Sequence, residues 1–240
     1  MSFDPYELDR SYTPAGQVET VGQYTTKTFL WMVLGLLVTF GVAIVCWTTN
    51  ATLYALVYIP YCHMIVLIAT LILSVTMSAR IEKMAVSTAR IMFVVFSALM
   101  GFTMSVYLFI FEFGSFIFVF LATAVYFGAL AAYGYLTKAD LSRLRSILFS
   151  GLLFLIIFGV ISMFIPGLQM LDRIACLIGI AVFLGYTAYD TQKIKAYYSY
   201  YAGCPDMLEK ASVFSALQLY LDFINLFLYL LRFLGKAKRN

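Results

Sequence analysis

After Lys27 the chain is a succession of apolar runs, each long enough to cross a bilayer, and this feature excludes most folds at once. The runs cover about residues 28–48, 53–78, 91–111, 115–136, 146–166, 170–190 and 212–234. A helix needs roughly 20 residues to span a hydrocarbon core ~30 Å thick. Lipid offers no hydrogen bonds, so each segment must satisfy its own backbone as a helix or join a closed barrel. The short alternating pattern of barrel strands is absent. The expected fold class is therefore an all-α polytopic membrane protein with seven transmembrane helices. Only 12% of the residues are charged, against roughly 25% in soluble domains, which leaves no material for a separate soluble domain. The expected organisation is a polar N-terminal tail over residues 1–27, a transmembrane domain over 28–235 and a basic C-terminal tail over 236–240.

The N-terminal tail carries Asp4, Glu7, Asp9, Arg10 and Glu19 among Tyr, Thr and Gly. It is too polar to bury, is read as disordered or loosely interfacial, and is available as a handle for a partner. No cleavable leader is expected, because the first apolar run is full length. Arg80, Lys83 and Arg90 lie between the second and third runs, Lys138, Arg143 and Arg145 between the fourth and fifth, and Lys193, Lys195 and Lys210 around the sixth connection. The alternate connections hold only Arg173. The positive-inside rule places the three basic loops and the N-terminus in the cytoplasm. Seven crossings then leave Arg232, Lys236, Lys238 and Arg239 outside, against that same rule. Either the last run spans and its tail is an exception, or it turns back near Asp222 to Asn225; its unbroken polar stripe favours a spanning helix.

Smaller signals follow. Pro60 is expected to break the outer end of the second run. Ala124, Gly128 and Ala132, spaced by four, mark a close-packing face on the fourth. The Asn50-Ala51-Thr52 triplet sits too near membrane ends to carry weight as a glycosylation acceptor. Cys46, Cys62, Cys176 and Cys204 lack metal-ligand spacing and are expected to be buried free thiols. A net charge of +4 scattered over short loops gives no footprint for nucleic acid.

The chemistry concentrates in the last run. Ser215, Gln218, Asp222, Asn225, Tyr229 and Arg232 recur at alternating steps of three and four, which gathers them on one helical stripe. A carboxylate deep in a membrane costs a few kcal/mol on insertion scales, so Asp222 should face the bundle interior or a water-filled cavity. Its natural counterpart is Asp190, at the end of GYTAYDTQKIK; the plainer reading of Asp190 is an interfacial carboxylate paired with Lys193 or Lys195. If the two meet, both cannot ionise cheaply, and they share a proton. Such a pair, with Asn225 and water, also offers the hard oxygen ligands calcium prefers, although the six to eight a bound ion needs cannot be counted from sequence. Gln218, Asn225, Ser215 and Glu112 are candidates to line a path. Arg80, or Lys83, could latch onto Asp190, with a positive-inside anchor as the plainer role. Asp172 beside Arg173 reads as a surface pair worth little.

No enzyme is expected. His63 is the only histidine, and no Ser, Thr or Cys has a recognisable base. Two intramembrane aspartates are what an aspartyl intramembrane protease requires, and Tyr189-Asp190 resembles half of the presenilin-type signature. Tyr220-Leu221-Asp222-Phe223 lacks the Gly-x-Gly-Asp of the other half.

The stretches AYGYLTKADLS (residues 132–142), GYTAYDTQKIK (185–195) and LYLDFINLFLYLLRFLG (219–235) closely resemble the bacterial members of the transmembrane Bax inhibitor motif family. The resemblance implies seven helices with the seventh central and wrapped by the other six. It implies a pH-sensitive cation leak, chiefly for calcium, gated by a paired-aspartate sensor falling on Asp190 and Asp222, with calcium as the permeant ion and no tightly bound cofactor. The family's arginine latch from the second helix falls on Arg80, the spacing also permitting Lys83. Eukaryotic members are associated with protection from cell death, so a stress modulator without transport is an alternative. Some bacterial relatives are linked to a membrane-anchored AAA protease, which makes regulation of membrane proteostasis through the N-terminal tail another. The short tails and motifs imply a bacterial inner membrane.

Overall fold

The computed structural model describes residues 19–165 and 171–238. The described helices are α1 (Val21–Thr48), α2 (Ala51–Tyr58), α3 (Cys62–Arg80), α4 (Val86–Ile110), α5 (Phe113–Leu136), α6 (Arg145–Phe164), α7 (Asp172–Tyr201) and α8 (Pro205–Leu234). All but α2 are long and apolar enough to cross a membrane, so the protein is a polytopic all-α membrane protein with seven spans. The tail up to residue 18, the outer ends of the fifth and sixth apolar runs, and Arg239 lie outside the described residues.

Helix ends depart from the apolar runs where polar chemistry intervenes. Helix α1 begins at Val21, upstream of the run, because Thr20 and Gln23 form a capping box: the Gln23 N–H donates to Thr20 Oγ1 at 3.2 Å and the Thr20 N–H to Gln23 Oε1 at 2.8 Å. The polar segment 21–27 is therefore helical. The second run is split around Pro60 into α2 and α3, with Tyr61 in the left-handed region at φ 60°. Pro60 has no N–H to continue the helix. Helix α7 runs on to Tyr201, so Asp190 lies about three turns inside an unbroken helix instead of at its end.

Polar contacts sort the connections onto two faces. On one face, Lys27 pairs with Glu19 at 3.1 Å and with Glu209, Arg90 also pairs with Glu209, and Lys210 Nζ donates to the Glu82 carbonyl at 3.0 Å. These bonds join the start of α1, the α3–α4 connection and the start of α8. On the opposite face, Ala237 forms an antiparallel bridge with Phe111. The Glu112 N–H donates to the Lys236 carbonyl and the Lys238 N–H to the Ile110 carbonyl, each at 2.9 Å. The C-terminal tail is thus fastened to the α4–α5 turn. Helix α8 crosses completely, and the re-entrant alternative is removed.

Helix α8 is the most enclosed of the spans. It packs on α1, α3, α4, α5 and α7, while α6 rests on α7 and faces α8 mainly across a cavity. Phe40 of α1, Phe116 and Phe120 of α5, and Phe227 of α8 meet edge to face, with centroids 4.4 to 6.2 Å apart. Tyr220 lies between Phe93 and Phe96 of α4, and its hydroxyl meets Thr39 Oγ1 of α1 at 2.6 Å.

Close approach of α5 to the bundle uses a different row from the one its spacing suggests. Ala124, Gly128 and Ala132 are exposed, and a Cβ on Gly128 would meet nothing within 4 Å. Thr123, Phe127, Ala131 and Gly134 face inward instead. At Gly134 the α7 backbone arrives so closely that a Cβ would lie 2.3 Å from the Ala188 carbonyl oxygen. The cysteine expectation is corrected in part: all four are free, but only Cys176 is buried, and Cys204, in the α7–α8 connection, is exposed. Gly134→Val is expected to lower stability by about 1–3 kcal/mol through overpacking. Gly128→Ala should leave it unchanged; thermal unfolding in a neutral detergent measures both.

Candidate functional site

Helices α6, α7 and α8 build the site. Glycines set their spacing: a Cβ on Gly151 of α6 would lie 2.6 Å from Val182 of α7, and one on Gly185 of α7 would lie 2.6 Å from Leu148 of α6. These reciprocal contacts seat α6 on α7. Helices α7 and α8 run antiparallel, with Gly179 under the Tyr229 ring and Phe183 stacked on it at 5.9 Å. Further along the same contact, Asp190 and Asp222 are neighbours and border one cavity.

Both carboxyls are buried, Asp190 at 8% and Asp222 at 5% exposure. Lys193, one turn on from Asp190, places Nζ 3.8 Å from Asp190 Oδ1 and lies over the rings of Tyr189 and Tyr197. Among the described residues Asp222 has no such cation, and its Oδ2 is buried without a hydrogen-bond donor. Ionised carboxylates only accept, so two facing carboxyls satisfy each other only if one carries a proton.

The pair lies on a polar route. A cavity of about 430 Å³ is walled by Leu152, Leu155 and Ile156 of α6 on one side and by Tyr186, Asp190, Gln218, Asp222, Asn225 and Tyr229 on the other. A second cavity, about 590 Å³, shares Tyr186, Asp190 and Gln218 with it and reaches Arg143, Arg145 and Lys193. Together they lead from the face carrying the α5–α6 connection inward to Asp222. The first cavity ends at the Tyr229 ring, which lies against Gly179. Arg232 lies over that ring at 5.8 Å and pairs with Asp172.

The polar stripe of α8 is therefore divided. Gln218, Asp222, Asn225 and Tyr229 line the first cavity, whereas Ser215 is buried, lines neither, and among the described residues has no hydrogen-bond partner for its hydroxyl. Asp172 pairs across helices with Arg232 instead of its neighbour Arg173. Glu112 is an exposed residue at the start of α5 and borders neither cavity. Arg80 and Lys83 border a separate cavity with Thr76 and Thr88 and do not reach Asp190. The latch position is corrected accordingly: the cation beside the pair is Lys193, on the helix that carries Asp190, because the end of α3 lies elsewhere on the bundle. Sequence reasoning missed Tyr186, the Gly179–Tyr229 wedge and the α6 wall. Gly179 at one position and an aromatic on the polar stripe of another helix was the only signal available for the wedge.

Among the described residues no group of three His, Cys, Asp or Glu side chains could hold a metal. The cavity offers two carboxyls and the amide oxygens of Gln218 and Asn225; Asn225 Nδ2 is used on the Leu221 carbonyl at 2.8 Å. That falls short of the six to eight oxygens of a resident calcium site.

Seven spans, the last of them enclosed by the others, with a buried carboxyl pair shared between it and α7, define a class of polytopic membrane protein with an intramembrane acid site. The model of the family described as inhibitor of apoptosis-promoting Bax1 matches residues 21–240, and the chain belongs to this Bax inhibitor-1 family. It is similar to the inner membrane protein YbhL of Escherichia coli strain K12, with 36% identity over 219 residues covering 90% of this chain and 92% of that one. It is likewise similar to the uncharacterized protein RP147 of Rickettsia prowazekii, 37% identical over 220 residues and covering 92% of each chain. An uncharacterized protein of Borreliella burgdorferi is 34% identical over 223 residues, 91% of this chain and 94% of that one.

One-sided access gives a direct test. In a background with the four native cysteines replaced, Asn225→Cys should react with a small cationic thiol reagent added on the Arg143 face and not with reagent on the other. Adding Gly179→Ala, which displaces the Tyr229 ring, should admit reagent from both. Equal labelling of the parent from either side would contradict the closed end.

Proposed function

We propose that this protein is a pH-sensitive, calcium-permeable leak of the bacterial inner membrane, acting by passive transport without catalysis or a tightly bound cofactor. The observation that carries the reading is Asp222 Oδ2, buried with no donor and facing a second buried carboxyl. With one proton between them, Asp190 and Asp222 hold α7 against α8. Without it, two like charges on the order of 4 Å apart repel by roughly 4 kcal/mol at an effective dielectric of about 20. That energy can shift a two-state equilibrium by about a thousandfold, enough to part the helices. Lys193 retains Asp190, a cation entering from the Arg143 face takes the place of the proton, and Tyr229 with the Arg232–Asp172 pair forms the last barrier.

The membrane assignment draws on the E. coli relative, which is named as an inner membrane protein. Arg80, Lys83, Arg90, Lys138, Arg143 and Arg145 are grouped at the connections of one face, which supports placing that face, with the N-terminus, in the cytoplasm.

Purified protein in liposomes should pass calcium faster as pH rises, by at most about tenfold per pH unit while one proton controls the gate. Asp222→Asn, whose amide donates to Asp190 at any pH, should flatten the profile. An unchanged profile would remove the sensor role. The alternative, a partner for a membrane-anchored AAA protease or a stress modulator bound through the N-terminal tail, separates cleanly. Deleting residues 1–18 spares Glu19 and the Thr20 cap, so a leak should survive while a tail-mediated contact should not.

A further inference from the structure

A third polar cavity lies between the ends of α3 and α4, on the face that carries Lys27 and Glu209. It measures about 660 Å³ and is bordered by Thr76, Arg80, Lys83, Met84, Thr88 and Met92. It combines two cations and two hydroxyls, one hydroxyl from each helix, with thioether walls and no carboxylate. The acids at this corner are already engaged. The Glu82 carboxylate receives the Tyr201 hydroxyl at 3.4 Å, and the Glu82 carbonyl takes Lys210. Glu209 is shared by Lys27 and Arg90. Among the described residues neither Arg80 nor Lys83 has an ion-pair partner.

The surroundings say what kind of anion fits. Arg80 is the last residue of α3, whose outward side presents Leu71, Ile72 and Val75, each more than half exposed. An apolar surface of this kind on a spanning helix faces lipid tails, so the cations stand where that surface ends, at head-group depth. Basic pockets between membrane helices bind anionic head groups for this reason: the phosphate meets the cations while the tails stay in the bilayer. The charge complement and the adjoining apolar strip favour a lipid over a free anion, which would leave the strip unused. We propose that the Arg80–Lys83 cavity binds the phosphate-bearing head group of an anionic membrane lipid, bridging α3 to α4. Helix α3 is among the least enclosed of the spans and leans chiefly on α4, so the bridge sets how firmly it is held. This site is separate from the carboxyl pair and stands whether or not the protein conducts.

The test uses the full chain in a neutral detergent, titrated with phosphatidylglycerol, phosphatidylcholine or inorganic phosphate. Bound lipid is counted by native mass spectrometry and melting temperature is followed in parallel. Phosphatidylglycerol should bind saturably and raise the melting temperature; the other two should not. The double variant Arg80→Ala, Lys83→Ala should bind phosphatidylglycerol about thirtyfold more weakly, from the loss of two basic contacts at the head group. Both side chains are exposed, so the fold should persist. Lys138→Ala with Lys236→Ala removes the same net charge elsewhere and should bind as the parent does. Undiminished binding by the Arg80/Lys83 variant, an equal loss in the control, or an equal shift with inorganic phosphate alone would each overturn the proposal.

Discussion

Two acid groups placed face to face where water is scarce set the terms for the rest of this molecule. Removing a charge from water into a membrane interior is costly, and a second like charge beside it compounds the cost. The arrangement of Asp190 and Asp222 is tolerable only because the surrounding bundle fixes both helices. Gly179, Gly185 and Gly134 let a neighbouring ring, an aliphatic side chain and a backbone approach in turn, and the aromatic cluster around Phe227 and Tyr220 holds α8 on its other side. The polar pair sits on the one side of α8 where a neighbouring helix stands off, and there the cavity forms.

This division gives α8 two different sides. Toward α1, α4 and α5 it presents Phe223, Phe227, Tyr220 and Leu231 in dry packing. Toward α6 it presents Gln218, Asp222 and Asn225. Dispersion and ring contacts make the first side rigid. The second depends on a proton and on a helix, α6, that is seated through α7. Motion there need not disturb the dry side, which is a workable design for a gate inside a tightly packed bundle.

Much of this was legible beforehand. The spans could be counted because lipid imposes a length and an apolar composition on each, and the polar stripe of α8 could be seen because helical spacing is fixed. What escaped is instructive. The row Ala124, Gly128, Ala132 has the spacing of a packing face, yet Gly134 on a neighbouring row makes the close contact; spacing identifies a possible approach but not which helix arrives. Arg80 as a latch on Asp190 required a tertiary approach that does not occur, whereas the plainer pairing of Asp190 with Lys193, one turn away on the same helix, needed no tertiary fold and is present. The extent of α7 past Asp190 was hidden because Lys193, Lys195 and a run of tyrosines read as the end of an apolar stretch while remaining good helix material. Ser215 lies on the stripe by arithmetic, but it is buried away from both cavities.

The central helix α8 is tied at both ends: Glu209 near its start holds Lys27 and Arg90, and the segment that follows it is stitched to the turn between α4 and α5. Sliding α8 along its axis would break one anchor or the other, which makes it the fixed post of the bundle and leaves movement at the site to the helices beside it.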